Sequence, residues 1–457
     1  MSGKFVFARI FALSILVWCC CTFFVARAQN SPIEARQADT SRTGAQPTTV
    51  QTVAIRAGRL FDANSGALLP NQVVLIKGER ISEVGPADRV KIPADAKVID
   101  LSRATVLPGL IDAHSHLFLT GEFGTRYDEE LLKESWQFRT IEAVVNAKLD
   151  LEAGFTTMRD LGNHGSMYSD VDVRNAIDRG LIPGPRLQVA TRGMSATGGY
   201  GLLGYSPEVT VPSGVLIADS PDGARLGVRE QIKYGADVIK IFATYRNHIT
   251  ADGKLVGYPT FTLDEIRAIV DEAHRQGVKV ACHAYGGESL HNCVDAGVDS
   301  IEHGLDMDEA SAQKMAEKNI YFVPTFYVYE GELRDLDHKA TSGKFSRAEI
   351  HERTFHVALE HKVKIAFGTD VGPFPHGTQA IEFEYFVKFG MKPAEALQSG
   401  TIGAATLMGW QDRVGSVEPG KFADIVAVAG NPLADITELE RTKFVMKGGM
   451  VVRNDLK

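Results

Sequence analysis

The sequence predicts an α/β protein, namely a (β/α)8 TIM barrel with a small β-sandwich domain built from the N- and C-terminal segments. From residue 109 to about residue 410, short apolar strands alternate with longer helical stretches, which is the pattern of βα units around a parallel sheet. Eight such strands are expected in a closed barrel. Short strands with turn signals occupy residues 51–108 and 411–457, on either side of this region. A chain of 457 residues is long enough for both domains.

The barrel strands are predicted from their apolar, β-branched composition and their even distribution along the chain. They are residues 110–113, 155–159, 186–190, 238–242, 279–281, 300–302, 321–324 and 365–368. Helices are predicted between them. One covers residues 263–276, where Thr262 is the N-cap and Glu265 has capping-box spacing, and another covers Glu309–Lys318. In the flanking β domain, residues 53–60, 73–78, 81–84, 424–428 and 443–446 are predicted strands.

The first 28 residues have the composition of a secretory signal peptide. Lys4 and Arg9 precede an apolar run at residues 10–25, and Ala26-Arg27-Ala28 supplies small residues for cleavage after Ala28. An uncleaved anchor is the less favoured alternative because the run is shorter than the ~20 residues of a spanning helix. Residues 29–50 carry almost no large apolar side chain and are predicted to form a flexible leader. The mature protein is therefore expected to be periplasmic or secreted, without a membrane segment.

Charge and cysteine content narrow the partners. The net charge is −8 and no basic stripe is present, so nucleic acid is not expected to bind. A small-molecule partner is expected, and a homo-oligomer stays open.

Beyond the signal peptide only Cys282 and Cys293 remain, one in a predicted strand and one on the next helix. A chain of this size does not need a disulfide to stabilise its core, so two free buried thiols are the favoured expectation.

A His-x-His motif ends the first barrel strand. Strand side chains alternate, so His114 and His116 point to the same side. At the C-terminal end of a barrel strand this side faces the active-site mouth. Two imidazoles there would form half of a metal site. Taken alone, a solvent-exposed pair is an equally good interpretation.

Four later strands also carry a potential ligand near their C-terminal ends: Lys240, His283, His303 and Asp370. Each one alone has an ordinary explanation, such as a lysine that meets a carboxylate, a hydrogen-bonded histidine or a capping aspartate. Together with the His-x-His motif they give six potential ligands on five strands of one barrel, which coincidence explains poorly. The sequence therefore predicts a metal site at this rim.

The order His-x-His, Lys, His, His, Asp resembles the amidohydrolase superfamily with a binuclear metal centre. Residues 107–116, 154–160, 235–240 and 414–424 resemble its imidazolonepropionase-like and prolidase-like (Xaa-Pro dipeptidase-like) branch. The resemblance extends from about residue 52 to residue 453.

The resemblance implies a role for each ligand. His114, His116 and Asp370 would hold the more buried of two divalent ions, and His283 and His303 the more exposed one. Carbon dioxide would convert Lys240 to a carbamate that bridges the ions. Zinc is the first expectation, with manganese, cobalt and iron left open. A hydroxide bridging the ions would attack the substrate carbonyl, and Asp370 would transfer its proton to the leaving amine.

Substrate-binding residues are predicted on the loop that follows the fourth strand. Arg246 would bind a substrate carboxylate, with Tyr245 or His248 as a second donor. A solvated loop with a surface arginine is an equal alternative. The glycine-rich residues 191–204, with Tyr200 and the nearby Tyr205, are a candidate lid, and His164 is a further pocket candidate.

The predicted reaction is hydrolysis of a peptide-like C–N bond, in a dipeptide or an N-acyl amino acid. The alternative is a hydrolase of cyclic amides such as imidazolone rings. Lys240 and the signal peptide both argue against imidazolonepropionase itself. A non-catalytic binding protein on the same fold is a remote alternative, because no ligand of the pattern is missing.

Overall fold

A computed structural model describes residues 51–120 and 126–456 of the chain. The predicted signal peptide (1–28) and the predicted leader (29–50) lie outside the described residues. Within the described ranges, every helix is too short or too polar to cross a membrane.

Nineteen strands are present in the described residues. They are β1 (Thr52–Asp62), β2 (Ala67–Lys77), β3 (Arg80–Pro86), β4 (Lys97–Pro108), β5 (Leu110–Ser115), β6 (Phe155–Asp160), β7 (Arg186–Val189), β8 (Met194–Ser195), β9 (Leu216–Ile217), β10 (Val238–Phe242), β11 (Thr244–Ile249), β12 (Leu255–Pro259), β13 (Lys279–Gly286), β14 (Ser300–Asp306), β15 (Tyr321–Val323), β16 (Lys364–Ile365), β17 (Ile425–Val428), β18 (Phe444–Lys447) and β19 (Met450–Asn454).

Twelve α-helices accompany the strands in the described residues. They are α1 (Arg126–Lys133), α2 (Trp136–Ala153), α3 (Ser169–Asp178), α4 (Pro221–Lys233), α5 (Leu263–Arg275), α6 (Gly287–Ala296), α7 (Glu309–Lys318), α8 (Glu332–Ala340), α9 (Arg347–Glu360), α10 (Glu382–Lys388), α11 (Pro393–Gln398) and α12 (Ala404–Met408). Short 3-10 segments cover Tyr327–Tyr329, Gln379–Ile381 and Ile436–Arg441, and a π-helical turn covers Ser399–Gly403.

Segments from both ends of the described chain build one seven-stranded sheet in the order β19-β18-β17-β4-β1-β2-β3. β1 pairs antiparallel with β2 and parallel with β4, and β17 pairs antiparallel with β4. Ile55 and Val74 of the N-terminal segment share a buried cluster with Ile425 and Phe444 of the C-terminal segment. The two segments therefore fold as one unit of sheet, although more than 300 residues separate them in sequence.

The strands predicted for the barrel lie in two parallel sheets, β5-β6-β7 and β16-β15-β14-β13-β10-β8-β9. Backbone hydrogen bonds join these sheets at two places. The Asp237 amide donates to the Val189 carbonyl (2.8 Å), and the Ala113 amide donates to the Phe367 carbonyl (2.9 Å). The predicted α/β class is confirmed. The last strand is regular only over Lys364–Ile365, shorter than predicted, although the Ala366 amide still donates to the Phe322 carbonyl (3.0 Å).

The predicted helix boundaries agree with the structure. α5 begins after Thr262, whose side chain and that of Glu265 form the expected reciprocal capping box. α7 covers the predicted residues, with Asp308 as its N-cap. Local capping chemistry therefore determines where these helices begin, and tertiary packing does not override it.

The segment after the fourth strand is not the loop that the sequence suggested. It forms a β-hairpin in which β11 pairs with β12, with His248 opposite Val256. A tight turn closes the hairpin, in which the Thr250 amide donates to the Lys254 carbonyl (2.9 Å) and Gly253 has a φ of 82°. The prediction failed because the alternating side chains of this segment are those of a two-stranded ribbon, whose register depends on the turn.

The expectation of two free thiols is wrong. Cys282 and Cys293 form a disulfide, with their Cα atoms 6.6 Å apart. Their predicted positions are correct, because Cys282 lies in β13 and Cys293 on α6. Gly287, at a φ of 56°, opens α6 directly after β13. The helix thereby packs against its own strand, and the two sulfur atoms meet in the core.

Candidate metal centre

The six predicted ligands lie in or after five of the parallel strands. His114 is in β5, Lys240 in β10, His283 in β13 and His303 in β14, whereas His116 directly follows β5 and Asp370 lies five residues after the end of β16. The three histidines and the lysine within strands are almost completely buried. Such burial is expected of strands that are covered on both faces of a parallel sheet.

The structure brings these side chains together around one point. Asp370 Oδ1 lies 3.3 Å from His114 Nε2 and 3.0 Å from His116 Nε2. Lys240 Nζ is 3.3 Å from the same His114 nitrogen. The His303 ring lies 4.9 Å from that of His114, measured between centroids, and the His283 ring lies 4.2 Å from that of His303. Ligand atoms of His114, His303 and Asp370 lie within 4.8 Å of one another.

Two of these residues have a backbone conformation that is uncommon outside glycine. His303 has a φ of 71° and Asp370 a φ of 61°. Each such conformation costs about 1–3 kcal/mol and persists only where the surrounding structure enforces it. For Asp370, the backbone amide donates to the His114 carbonyl at 2.7 Å, which fixes the turn beside the first strand.

Three histidines have their Nδ1 atoms occupied by hydrogen bonds. The partners are Glu302 Oε2 for His114 (2.8 Å), the Gly162 carbonyl for His116 (3.0 Å) and Thr325 Oγ1 for His303 (2.8 Å). The Nε2 atoms of these rings therefore remain as the candidate ligands. Hydrogen bonds of this kind fix the tautomer and the orientation of metal-binding histidines.

Glu302 and Arg159 hold His114 in position, and neither role was predicted from the sequence. Arg159 donates to Glu302 Oε1 (2.9 Å) and to the Ala113 carbonyl (2.6 Å). Burial alone would raise the pKa of Glu302, but the Arg159 guanidinium and the His114 hydrogen bond lower it to about 2. A carboxylate within an apolar strand needs a buried partner. The position of Glu302 in the predicted strand at residues 300–302 could therefore have indicated that such a partner exists.

Replacing Glu302 with glutamine should weaken metal binding while the fold stays intact. The amide cannot accept a hydrogen bond from His114 and from Arg159 with the strength of a carboxylate, so the ring loses its fixed orientation. We expect about a 10- to 100-fold loss of metal affinity, measured by competition with a chromogenic chelator.

The matched control is Glu382→Gln. This carboxyl is also buried, but it accepts from the backbone amides of Phe326 and Tyr327, and burial raises its pKa to about 8. Metal affinity should change less than about 3-fold in that variant. Equal losses in the two variants would mean that Glu302 acts on the fold and not on His114.

The charge states of the cluster suit a divalent cation. Burial holds the pKa values of His283 and His303 well below their usual range, so both rings are neutral. Burial also lowers the pKa of Lys240 to about 8. His283 Nε2 is buried and has no hydrogen-bond partner in the described residues. Neutral imidazoles, a carboxylate and an unsatisfied ring nitrogen are a donor set that fits a metal such as zinc.

A cavity of about 330 Å³ opens above the cluster. His116, His283 and Asp370 form part of its floor. Its walls contain six tyrosine and phenylalanine rings, which are those of Tyr127, Tyr200, Phe242, Tyr245, Tyr285 and Tyr329. Tyr285 follows His283 at strand spacing, so it could have been found from the sequence. Tyr127 and Tyr329 come from segments that carry no such signal.

The predicted substrate-binding residues separate into two groups. Tyr245 lines the cavity. Arg246 and His248 are exposed and pack on Tyr258 of the same hairpin, with the Arg246 guanidinium 5.6 Å from the ring centroid. Neither residue lines the cavity. Tyr245 is separated from Arg246 and His248 because side chains alternate along β11, so that odd- and even-numbered residues lie on opposite faces.

The other pocket candidates lie close to the cluster. His164 lines the cavity, and its Nε2 atom is 3.0 Å from His116 Nδ1. Tyr200 bonds to His164 Nδ1 at 3.0 Å and stacks on Phe242 with centroids 3.9 Å apart. Tyr205 is exposed, and its hydroxyl donates to Asp128, a residue of the cavity wall (2.7 Å). Residues 191–204 therefore reach the cavity through Tyr200.

The chain is similar to several known hydrolases. The amidohydrolase family model matches residues 105–452. Ochratoxinase of Aspergillus niger is 30% identical over 430 residues, which cover 87% of this chain and 86% of that protein. Imidazolonepropionase of Fusobacterium nucleatum subsp. nucleatum (strain ATCC 25586) is 26% identical over 418 residues, covering 84% and 91% of the two chains. A solved structure of a Xaa-Pro dipeptidase with bound methionine is 34% identical, with a TM-score of 0.79 over 88% of this chain and 100% of that one.

These relatives and the buried histidine–aspartate cluster define the class of protein as a hydrolase. The chain belongs to the amidohydrolase family, and its resemblance to imidazolonepropionases and prolidases is confirmed.

Proposed function

We propose that the protein is a metal-dependent hydrolase that cleaves the amide C–N bond of a small substrate, a dipeptide or an N-acyl amino acid. One observation carries the proposal: the Nε2 atoms of three histidines, the Asp370 carboxylate and the Lys240 amine converge beneath a single cavity. A cavity of this size, with aromatic rings in its walls and a few convergent polar atoms, is typical of small-molecule sites.

We infer that the two parallel sheets form one closed (β/α)8 barrel. The hydrogen bonds from Asp237 to Val189 and from Ala113 to Phe367 support closure, because they link both edge strands of the three-stranded sheet to the seven-stranded one. We also infer a β-sandwich for the flanking unit, bounded by residues 51–108 and 411–457. Neighbouring residues of β1, such as Ala54 and Ile55, belong to separate buried clusters, which supports packing on both faces of that sheet.

Two divalent ions, with zinc as the first expectation, would be held by this donor set. His114, His116 and Asp370 would hold one ion, and His283 and His303 the other. When bound, such ions supply an activated water and polarise a carbonyl group.

Lys240, as a carbamate, would bridge the two ions. Among the described residues its amine forms no salt bridge with a carboxylate; it lies 3.3 Å from His114 Nε2 and 5.2 Å from the centroid of the Phe242 ring. A buried ammonium without a counter-ion is unfavourable, whereas a carbamate in this position is anionic. Burial also lowers the pKa of Lys240, and only a neutral amine reacts with carbon dioxide.

Asp370 would be the proton-transfer group. Its side chain is 15% exposed and borders the cavity, so it can contact both the nucleophilic water and the substrate. A carboxylate in this position accepts a proton and returns it to the leaving nitrogen. Contacts with His114 and His116 hold the carboxylate at the floor of the cavity.

Aromatic walls would orient the substrate. Tyr245, Tyr200 and Tyr285 present rings and hydroxyl groups to the cavity, which suits an apolar side chain beside a polar amide. Carboxylate recognition by Arg246 and His248 stays a prediction, and their exposed positions would require the hairpin to move. The Xaa-Pro dipeptidase and ochratoxinase relatives support a substrate of this small size.

Export through a cleaved signal peptide is part of the proposal. The disulfide between Cys282 and Cys293 supports it, because structural disulfides persist in oxidising compartments and are rare in the cytosol.

Removal of metal tests the proposed reaction. The purified protein is assayed against dipeptides, N-acyl amino acids and cyclic amides, before and after dialysis with a strong chelator. We expect hydrolysis of linear amides to fall by more than about 100-fold and to return with added zinc. The imidazolonepropionase relative favours ring-opening as the second candidate, and turnover restricted to cyclic amides would replace the first. Activity that survives complete metal removal would contradict metal dependence.

A further inference from the structure

The outer face of helix α2 has the composition of a buried surface. Phe138, Ile141, Val145 and Leu149 recur at spacings of three and four residues, so they form one stripe along the helix. All four are exposed, by 43 to 65%. Trp136, at the start of α2, and Leu132, at the end of α1, extend the exposed apolar set at one end.

The inner face of α2 is the more polar one. Its buried residues include Arg139, Asn146 and Asp150. Each is satisfied within the fold: Arg139 donates to the His164 carbonyl (2.9 Å), Asn146 donates to the Leu117 carbonyl (2.9 Å), and Asp150 accepts from His376 (2.8 Å). Ala143, Ala147 and Leu151 complete the buried face, so most of the large apolar side chains of α2 lie on its exposed face, unlike the usual arrangement of a surface helix.

We propose that this stripe is a contact surface between two copies of the chain. A stripe with ridges at spacings of three and four residues can pack against an identical stripe by the ordinary geometry of helix pairs. A twofold axis would bring the same residues of both copies together, as in most homodimers. The inference concerns assembly and does not depend on the proposed chemistry.

The available area is sufficient for a stable dimer. Six large side chains exposed by 43 to 65% present on the order of 600 Å² per chain, or about 1,200 Å² for a pair, before any neighbouring atoms are counted. This is the lower end of the range for stable protein–protein interfaces. Single exposed apolar residues elsewhere, such as Leu181 and Leu226, have no comparable stripe and need no partner.

A second copy fits the stripe better than the other candidates. Helices that lie on membranes carry many lysines and arginines on their polar face. Here the two lysines beside the stripe are neutralised within the helices, Lys133 by Glu129 (2.6 Å) and Lys148 by Glu152 (2.7 Å). The leader at residues 29–50 has almost no large apolar side chain with which to cover the stripe.

The proposed contact between two copies would lie directly behind the cavity wall. α1 supplies Tyr127 and Asp128 to the cavity, and Leu132 of the same helix belongs to the exposed apolar set. Arg139, on the inner face of α2, donates to the carbonyls of Asn163 and His164, and His164 lines the cavity. Assembly would therefore hold one wall of the cavity in position.

Sedimentation velocity of the exported protein at micromolar concentration tests the proposal. We expect an assembly of at least twice the chain mass, and we expect Ile141→Glu to reduce that mass at least 2-fold. Ile141 is 65% exposed, so the substitution leaves the core intact. The matched control is Leu226→Glu, on α4 and 64% exposed, which should keep the wild-type mass.

Three results would overturn the proposal. They are a wild-type protein that sediments as a monomer, an Ile141→Glu variant that retains the wild-type mass, and a Leu226→Glu variant that dissociates to the same extent. Flotation of the wild-type protein with vesicles of phosphatidylcholine and phosphatidylglycerol, abolished by Ile141→Glu, would assign the stripe to a membrane and would also overturn it.

Discussion

Lys240→Ala should abolish most metal binding and reduce activity by more than about 100-fold. The side chain is buried in the middle of β10, 3.3 Å from His114 Nε2, where the proposed carbamate would bridge the two ions. Removing it would leave a void beside the histidines and take away the proposed bridging ligand. Metal content per chain, measured by emission spectrometry, and hydrolysis of the best amide substrate both report the loss.

Rescue and a control variant separate a ligand role from a structural one. Acetate or propionate at high concentration should restore part of the metal content and activity of Lys240→Ala, because a small carboxylate can enter the void. Lys447→Ala removes another lysine whose pKa burial lowers to about 8, but which donates to the Gly184 carbonyl. That variant should keep its metal. Full metal content in Lys240→Ala would rule out the bridging carbamate.

Asp370→Asn should lower kcat by about 10²–10⁴-fold, the usual contribution of a positioned acid–base group. Asparagine preserves the size of the side chain and one ligand oxygen, but it cannot take up the proton. Burial opposes the ionised form of Asp370, yet the neighbouring histidines His114 and His116 hold its pKa well below the usual range. The measurement is kcat at saturating substrate for the metal-reconstituted variant.

Asp128→Asn is the control for a second carboxylate of the same cavity. Asp128 accepts a hydrogen bond from Tyr205 and lies in the wall instead of the floor. Its replacement should change kcat by less than about 10-fold, because among the described residues no hydrogen bond or ion pair joins this carboxylate to the histidine cluster. Equal kcat values for wild type and Asp370→Asn would assign proton transfer to another group.

The convergence of the six candidate ligands could be predicted because two simple rules act on each strand separately. Side chains alternate along a strand, which puts His114 and His116 on one side. Functional groups of parallel barrels gather at the C-terminal ends of strands, which brings Lys240 and Asp370 to the same rim. Neither rule needs knowledge of which strands are neighbours.

Features that depend on neighbouring elements could not be predicted in this way. Arg159 and Glu302 are 143 residues apart, and only the order of the strands in the fold brings them together beneath His114. The disulfide required the orientation of α6 against β13, which the glycine turn between them determines. The hairpin that removes Arg246 from the cavity depends on a turn whose register the side-chain pattern does not specify.

The Cys282–Cys293 crosslink closes a short loop, with a sequence separation of 11 residues, directly next to His283. The crosslink lowers the conformational entropy of the unfolded chain, which stabilises the folded state by roughly 3 kcal/mol for a loop of this length. A polypeptide that folds before its cysteines are oxidised must complete this strand–helix unit without that gain. The timing of cysteine oxidation relative to folding therefore bears on how much correctly folded protein is produced.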